Sequence, residues 1–114
     1  MITGKNKEQF EKWYKEYHKP NAGRTKYFIG NFFRLEFEMQ QGVLLAYYDS
    51  LGIIIEHELY INLNDTILGH YVKIKTIFKR KVITFKGVYK GHSRNEALTE
   101  AFKQADKLEN EKLK

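Results

Sequence analysis

The chain contains no cysteine among its 114 residues. That excludes a disulfide framework and any thiolate metal site. Proline occurs once and aromatic residues make up 15%, a balance that favours a packed domain over disorder. No apolar run approaches the roughly 20 residues of a bilayer span. Met1 to Trp13 is polar and lacks the apolar centre of a secretory leader. The expected setting is cytoplasmic, and the expected organisation is a single domain over 1–114. There is also no nucleophile elbow and no phosphate-cradling glycine loop. The expectation is a non-enzyme with no cofactor and no metal.

What is present is charge, and it comes in blocks. The net charge is +6. Residues 1–34 hold eight basic and three acidic side chains, and residues 35–65 hold six acidic and no basic ones. Residues 66–95 hold eight basic and no acidic ones, and residues 96–114 hold four basic and five acidic ones. Such blocks imply a polarised surface, which bears on partners rather than on fold.

The most hydrophobic stretch, Gly42 to Leu63, organises the expected fold. Val43–Tyr48 and Ile53–Leu63 flank Asp49-Ser50-Leu51-Gly52, which reads as a hairpin at the centre of a sheet. Ahead of it, Lys26–Met39 reads as a first strand, with Phe33, Leu35, Phe37 and Met39 alternating with Arg34, Glu36 and Glu38. Ile67–Phe78 and Val82–Tyr89 read as the fourth and fifth strands, joined by the basic turn Lys79-Arg80-Lys81. Asn6–Tyr17 reads as a helix capped by Asn6, with Phe10, Trp13, Tyr14 and Tyr17 on one stripe. Ser93 opens a last helix through a capping box with Glu96, and Leu98, Ala101, Phe102, Ala105 and Leu108 form its apolar stripe. The expected fold is α+β: a five-stranded antiparallel meander with the N-terminal and C-terminal helices packed on one face.

Glu56-His57-Glu58 invites a metal or acid–base reading. Strand alternation counts against it, because both glutamates point one way and His57 the other. His57 and His70 are candidate cross-strand neighbours with no carboxylate in phase. Two surface features carry more weight. One is a basic hairpin formed by Tyr71, Lys73, Lys75, Lys79, Arg80, Lys81, Lys86 and Lys90. The other is an acidic stripe formed by Glu36, Glu38, Glu56 and Glu58. Together they suggest a bipolar surface for a charged partner such as nucleic acid or a ribonucleoprotein; the alternative is a solvated sheet face that resists edge pairing.

Residues 8–14 (EQFEKWY), 42–55 (GVLLAYYDSLGIII) and 91–110 (GHSRNEALTEAFKQADKLEN) resemble small accessory proteins of Bacteroidetes-type phages and mobile elements. The shared motifs are structural in type, and no catalytic residue follows from them. What the resemblance implies is a phage anti-defence protein, similar to anti-CRISPR proteins. Such a protein would bind an RNA-guided effector, preferably an RNA-targeting one, or its guide RNA, and inhibit it stoichiometrically in the host bacterial cell. The alternative is a stand-alone RNA- or DNA-binding regulator similar to double-stranded-RNA-binding domains. The last helix fits those poorly, since it begins Arg94-Asn95-Glu96 where a lysine pair is expected.

Overall fold

The computed structural model describes residues 2–17, 29–91 and 93–114, apart from the side chains of residues 17, 29–31, 60, 78 and 83–91. The elements run α1 (Gly4–Tyr17), α2 (Ile29–Arg34), α3 (Phe37–Ser50), β1 (Ile53–Ile61), β2 (Ile67–Phe78), β3 (Lys81–Gly91) and α4 (Arg94–Lys112). The sheet has three antiparallel strands in the order β1-β2-β3. The α+β class is as expected, but the five-stranded sheet is not. Of the expected first strand, residues 29–39 are helical or lie at a helix junction, and residues 26–28 fall outside the description. Val43–Tyr48 is helical as well.

The reason lies in the phase of the buried side chains. Gln40, Gln41, Leu44, Tyr47 and Tyr48 are the buried residues of α3. They fall at i, i+1, i+4, i+7 and i+8, which is one face of a helix. Met39, Gln40, Gln41, Leu44, Leu45 and Ala46 are strong helix formers. Asp49-Ser50-Leu51-Gly52 is therefore a helix end rather than a hairpin turn. Gly52 takes φ +77°, a left-handed conformation suited to glycine. An added Cβ there would meet the Ile77 carbonyl oxygen at 2.7 Å. Gly52 also pairs with β2, its carbonyl accepting from Ile77 N–H at 2.7 Å.

Helices α3 and α4 lie on the sheet face that carries the buried Ile53, Val72 and Ile74. Helix α1 packs against α2, α3 and α4. The expected placement of the N-terminal helix on the sheet is thus corrected: a helical layer intervenes. Phe10, Trp13 and Tyr14 of its aromatic stripe pack in the core, but they meet other helices, and the Tyr17 side chain lies outside the description. Phe10 lies 4.9 Å from Phe32 and 5.0 Å from Tyr47, and Trp13 lies 5.3 Å from Tyr47, centroid to centroid. The Ser93 cap forms as expected, its side chain accepting from Glu96 N–H at 3.1 Å.

A buried polar network locks α1, α3 and α4 together. Asp106 accepts from Thr3 N–H at 2.9 Å, Thr3 Oγ1 at 2.7 Å, Asn6 Nδ2 at 2.8 Å and Asn110 Nδ2 at 3.2 Å. Asn6, expected as a helix cap, is instead fully buried inside α1. Its amide donates a second bond to Tyr48 Oη at 3.1 Å, and its Oδ1 accepts from Tyr47 Oη at 2.5 Å. Gln9 Nε2 in turn donates to Tyr47 Oη at 3.0 Å. Every polar atom of the Asn6 side chain is satisfied, which is what makes burying it tolerable.

Asp106→Ala removes the acceptor of four hydrogen bonds, and should lower unfolding stability by about 3 kcal/mol, measurable by denaturant titration. Alkali should act through the tyrosines. Burial pushes the Tyr47 hydroxyl up to about 12, and raises Tyr48 as well. The folded state therefore holds these protons more tightly than the unfolded chain, whose tyrosines titrate near about 10. Stability should be complete below about pH 10 and should fall as pH rises from there towards about 12. Denaturant midpoints that are equal at both ends of that window would contradict this.

Candidate nucleic-acid interface

The strand register decides what the charged residues do. Glu56 stands opposite Lys73, and Glu58 opposite Tyr71, on the sheet face turned away from α3 and α4. The ion pairs form diagonally: Lys75 Nζ lies 3.2 Å from Glu56 Oε2, and Lys73 Nζ lies 3.4 Å from Glu58 Oε1. Tyr71 donates a short hydrogen bond to Glu58 and lies under Lys73 Nζ, 5.6 Å from the ring centroid. That hydrogen bond, aided by the lysines, holds the Glu58 carboxyl below the ordinary range and raises the Tyr71 hydroxyl. Tyr71, Lys73 and Lys75 thus form one ladder with Glu56 and Glu58, rather than a basic surface facing an acidic one.

The acidic stripe divides further. Glu36 sits at the N-cap position of α3 and Glu38 in its first turn, over the opposite face of the sheet. Glu38 accepts from Asn95 Nδ2 at 2.5 Å; the hydrogen bond to its own backbone N–H, and then the Asn95 amide, hold its carboxyl low. Gln41 Nε2 donates to Asn95 Oδ1 at 2.7 Å, so this group ties α3 to the start of α4. The four glutamates do not make one face.

Lys79, Arg80 and Lys81 remain, exposed at the end of the β2–β3 hairpin. Phe78 pairs with Lys81, which leaves Lys79 and Arg80 as a two-residue connection. Both have positive φ, 51° and 66°. That is the pattern a type I′ turn requires, and Asn-Gly is the pair that suits it. A left-handed non-glycine residue costs about 1–2 kcal/mol, and such strain gathers at functional positions. The side chains of Lys86 and Lys90 lie outside the description.

Beside this end of the sheet is a cavity of about 290 Å³, between the α3–β1 joint, the end of β2 and the last turns of α4. Leu51, Ile53, Ile77 and Leu108 give it apolar walls, and Glu109 and Lys112 also line it. Glu109 was not singled out from the sequence. Its signal was phase: it lies at i+4 from Ala105 and i+7 from Phe102, so a carboxylate continues the apolar stripe of α4.

His57 and His70 do meet. Their rings are 5.1 Å apart and stacked, with His57 Nε2 2.9 Å from His70 Nδ1. Burial, then the neighbouring His70 and Arg94, lowers the His57 pKa, which disfavours a cationic pair. Among the described residues no group of three histidines or carboxylates is arranged to hold a metal. His18 and His92 lie outside the description. Among the described residues, no helix is long and apolar enough to cross a membrane.

The chain matches no protein-family model, no curated protein and no solved structure.

Because the Tyr71 bond leads the effects on Glu58, Tyr71→Phe should raise the Glu58 carboxyl pKa towards the ordinary carboxylate value. Carbon-detected NMR titration of the glutamate side chains reads this directly; an unchanged Glu58 midpoint would contradict the assignment.

Proposed function

We propose that this protein works by binding rather than by turnover, and that the basic end of the β2–β3 hairpin engages single-stranded nucleic acid. The observation that carries this reading is the strained turn at Lys79-Arg80-Lys81, with three consecutive exposed cations. A concentrated positive end attracts phosphates and speeds encounter. Lys73 and Lys75 are paired with Glu58 and Glu56, whereas Lys79, Arg80 and Lys81 follow one another, exposed, at the end of the hairpin.

The resemblance to phage accessory proteins favours a particular setting: inhibition of an RNA-guided effector in the host cytoplasm, through contact with its guide or target strand. Guided effectors hold RNA in positively charged channels, and a basic turn reaches RNA where it emerges. Pull-down from host lysate with and without nuclease tests the setting. Retention of an RNA-guided effector, with relief of phage interference, supports the inhibitor. Recovery of nucleic acid alone, without that relief, leaves a stand-alone nucleic-acid-binding protein and removes the inhibitor.

The turn itself gives a sharper test. Lys79→Asn with Arg80→Gly supplies the residues the geometry favours and removes two cations. The double variant should be more stable by about 1–2 kcal/mol and bind single-stranded RNA more weakly. Its log affinity against log salt should be less steep by roughly 1 to 2. A variant that binds like the parent at every salt concentration would show that the turn is not the contact.

A further inference from the structure

The cavity beside the basic turn has a chemistry of its own. Its walls are aliphatic, and one carboxylate is set into them. Glu109 is only 2% exposed. Its Oε1 accepts from Gln9 Nε2 at 3.2 Å, on the α1 side. Its Oε2 has no hydrogen-bond partner. Lys112 Nζ stands 3.9 Å from that oxygen, beyond hydrogen-bond reach, on a side chain that is 66% exposed. A buried acceptor left in this way lacks compensation for its lost water. A group that would complete the site has an apolar body and an N–H donor. Access to Oε2 requires Lys112 to move aside, and an exposed, loosely paired lysine does so at little cost.

Position narrows the choice of ligand. Ile77 lines the cavity, and Lys79 follows it by two residues. At about 3.3 Å per residue the basic turn begins roughly 7 Å away, comparable to the reach from a nucleobase to its own phosphate. A volume of about 290 Å³ lies at the small end of ligand sites and suits one ring system rather than a stacked pair.

We infer that this cavity takes one unstacked base of the bound strand, and that Glu109 Oε2 accepts an N–H from the exocyclic amino group of that base. The inference rests on the reading of the basic turn as a phosphate contact. The turn and Lys112 flank the phosphates, and Leu51, Ile53, Ile77 and Leu108 enclose the ring, as apolar side chains enclose extruded bases elsewhere. A carboxylate is a natural acceptor for the cytosine amino group. Cytosine, adenine and guanine carry such a group. Uracil presents a carbonyl oxygen in its place and would be repelled.

Fluorescence anisotropy with labelled RNA octamers rC8, rA8 and rU8 tests this. The parent chain should bind rC8 and rA8 about tenfold more tightly than rU8. Glu109→Gln preserves shape but offers an amide, and should bring the three within about twofold at an unchanged salt slope. An octamer of N4,N4-dimethylcytidine has no amino hydrogen and should bind the parent chain like rU8; this arm decides the matter even if Glu109→Gln folds poorly. Parent binding to rU8 as tight as to rC8, or a preference that survives Glu109→Gln, overturns the base pocket while leaving the turn contact standing. Absence of binding to any octamer overturns both.

Discussion

The carboxylate of Asp106 is the point on which the helical half of the molecule depends. It gathers donors from the segment before α1, from inside α1, and from the next turn of α4. Asn6 then carries the connection to Tyr47 and Tyr48 on α3. Apolar packing among Phe10, Phe32, Tyr47 and Phe102 would hold these helices in many nearly equivalent arrangements, because it is not directional. A fully satisfied polar network permits few. Its main effect is thus on which packing is adopted; net stabilisation from buried charge is a weaker claim.

That constraint passes to the site through α4. Fixing Asp106 against α1 fixes Glu109 one turn further on, with one oxygen on Gln9 and the other on the side of Lys112. The opposite wall is set by the α3–β1 joint. Gly52 approaches β2 so closely that a methyl group would collide with the Ile77 carbonyl. Two rigid features, a helix register and a glycine contact, therefore shape the cavity and place it against the root of the basic turn. The three segments 8–14, 42–55 and 91–110 contain Gln9, Tyr47, Tyr48, Gly52, Asp106 and Glu109. Those motifs describe the framework, and the turn at Lys79-Arg80-Lys81 lies outside them.

The sequence made the strands and the last helix legible and concealed the helical segment that precedes β1. Ser93 with Glu96, and the stripe from Leu98 to Leu108, identify α4 because cap and period agree. The alternation in Ile53–Ile61 and Ile67–Phe78 identifies β1 and β2, and a basic turn marks the end of β2. Helix α3 failed for a physical reason. Its buried face contains Gln40 and Gln41, whose amides are satisfied by Phe32 O and Asn95 Oδ1; read as polar, they break the helical period. What was left, Val43 to Tyr48 before an Asp-Ser-Leu-Gly, imitates a strand and a turn. The same blindness hid the Asp106 network and Glu109. Polar residues in an apolar phase look like errors of pattern until their partners, about a hundred residues away, are known.

The charge map changes meaning once register is known. A block of eight cations with no acids reads as a continuous basic face, yet Lys73 and Lys75 spend their charge on Glu58 and Glu56 across the strand pair. Cross-strand pairing of opposite charges is what an exposed sheet face needs to remain solvated and in register. Asp106 and Glu109 are buried in the helical layer, and Glu38 is engaged by Asn95. Those five acids are thus committed within the fold. The cations of the β2–β3 turn stand at one end of the molecule, next to a cavity whose unsatisfied atom is an acceptor. A ligand matched to that end would carry negative charge and, a few ångströms away, an apolar group with a donor. The proposed nucleic-acid strand is one polymer that repeats those two features.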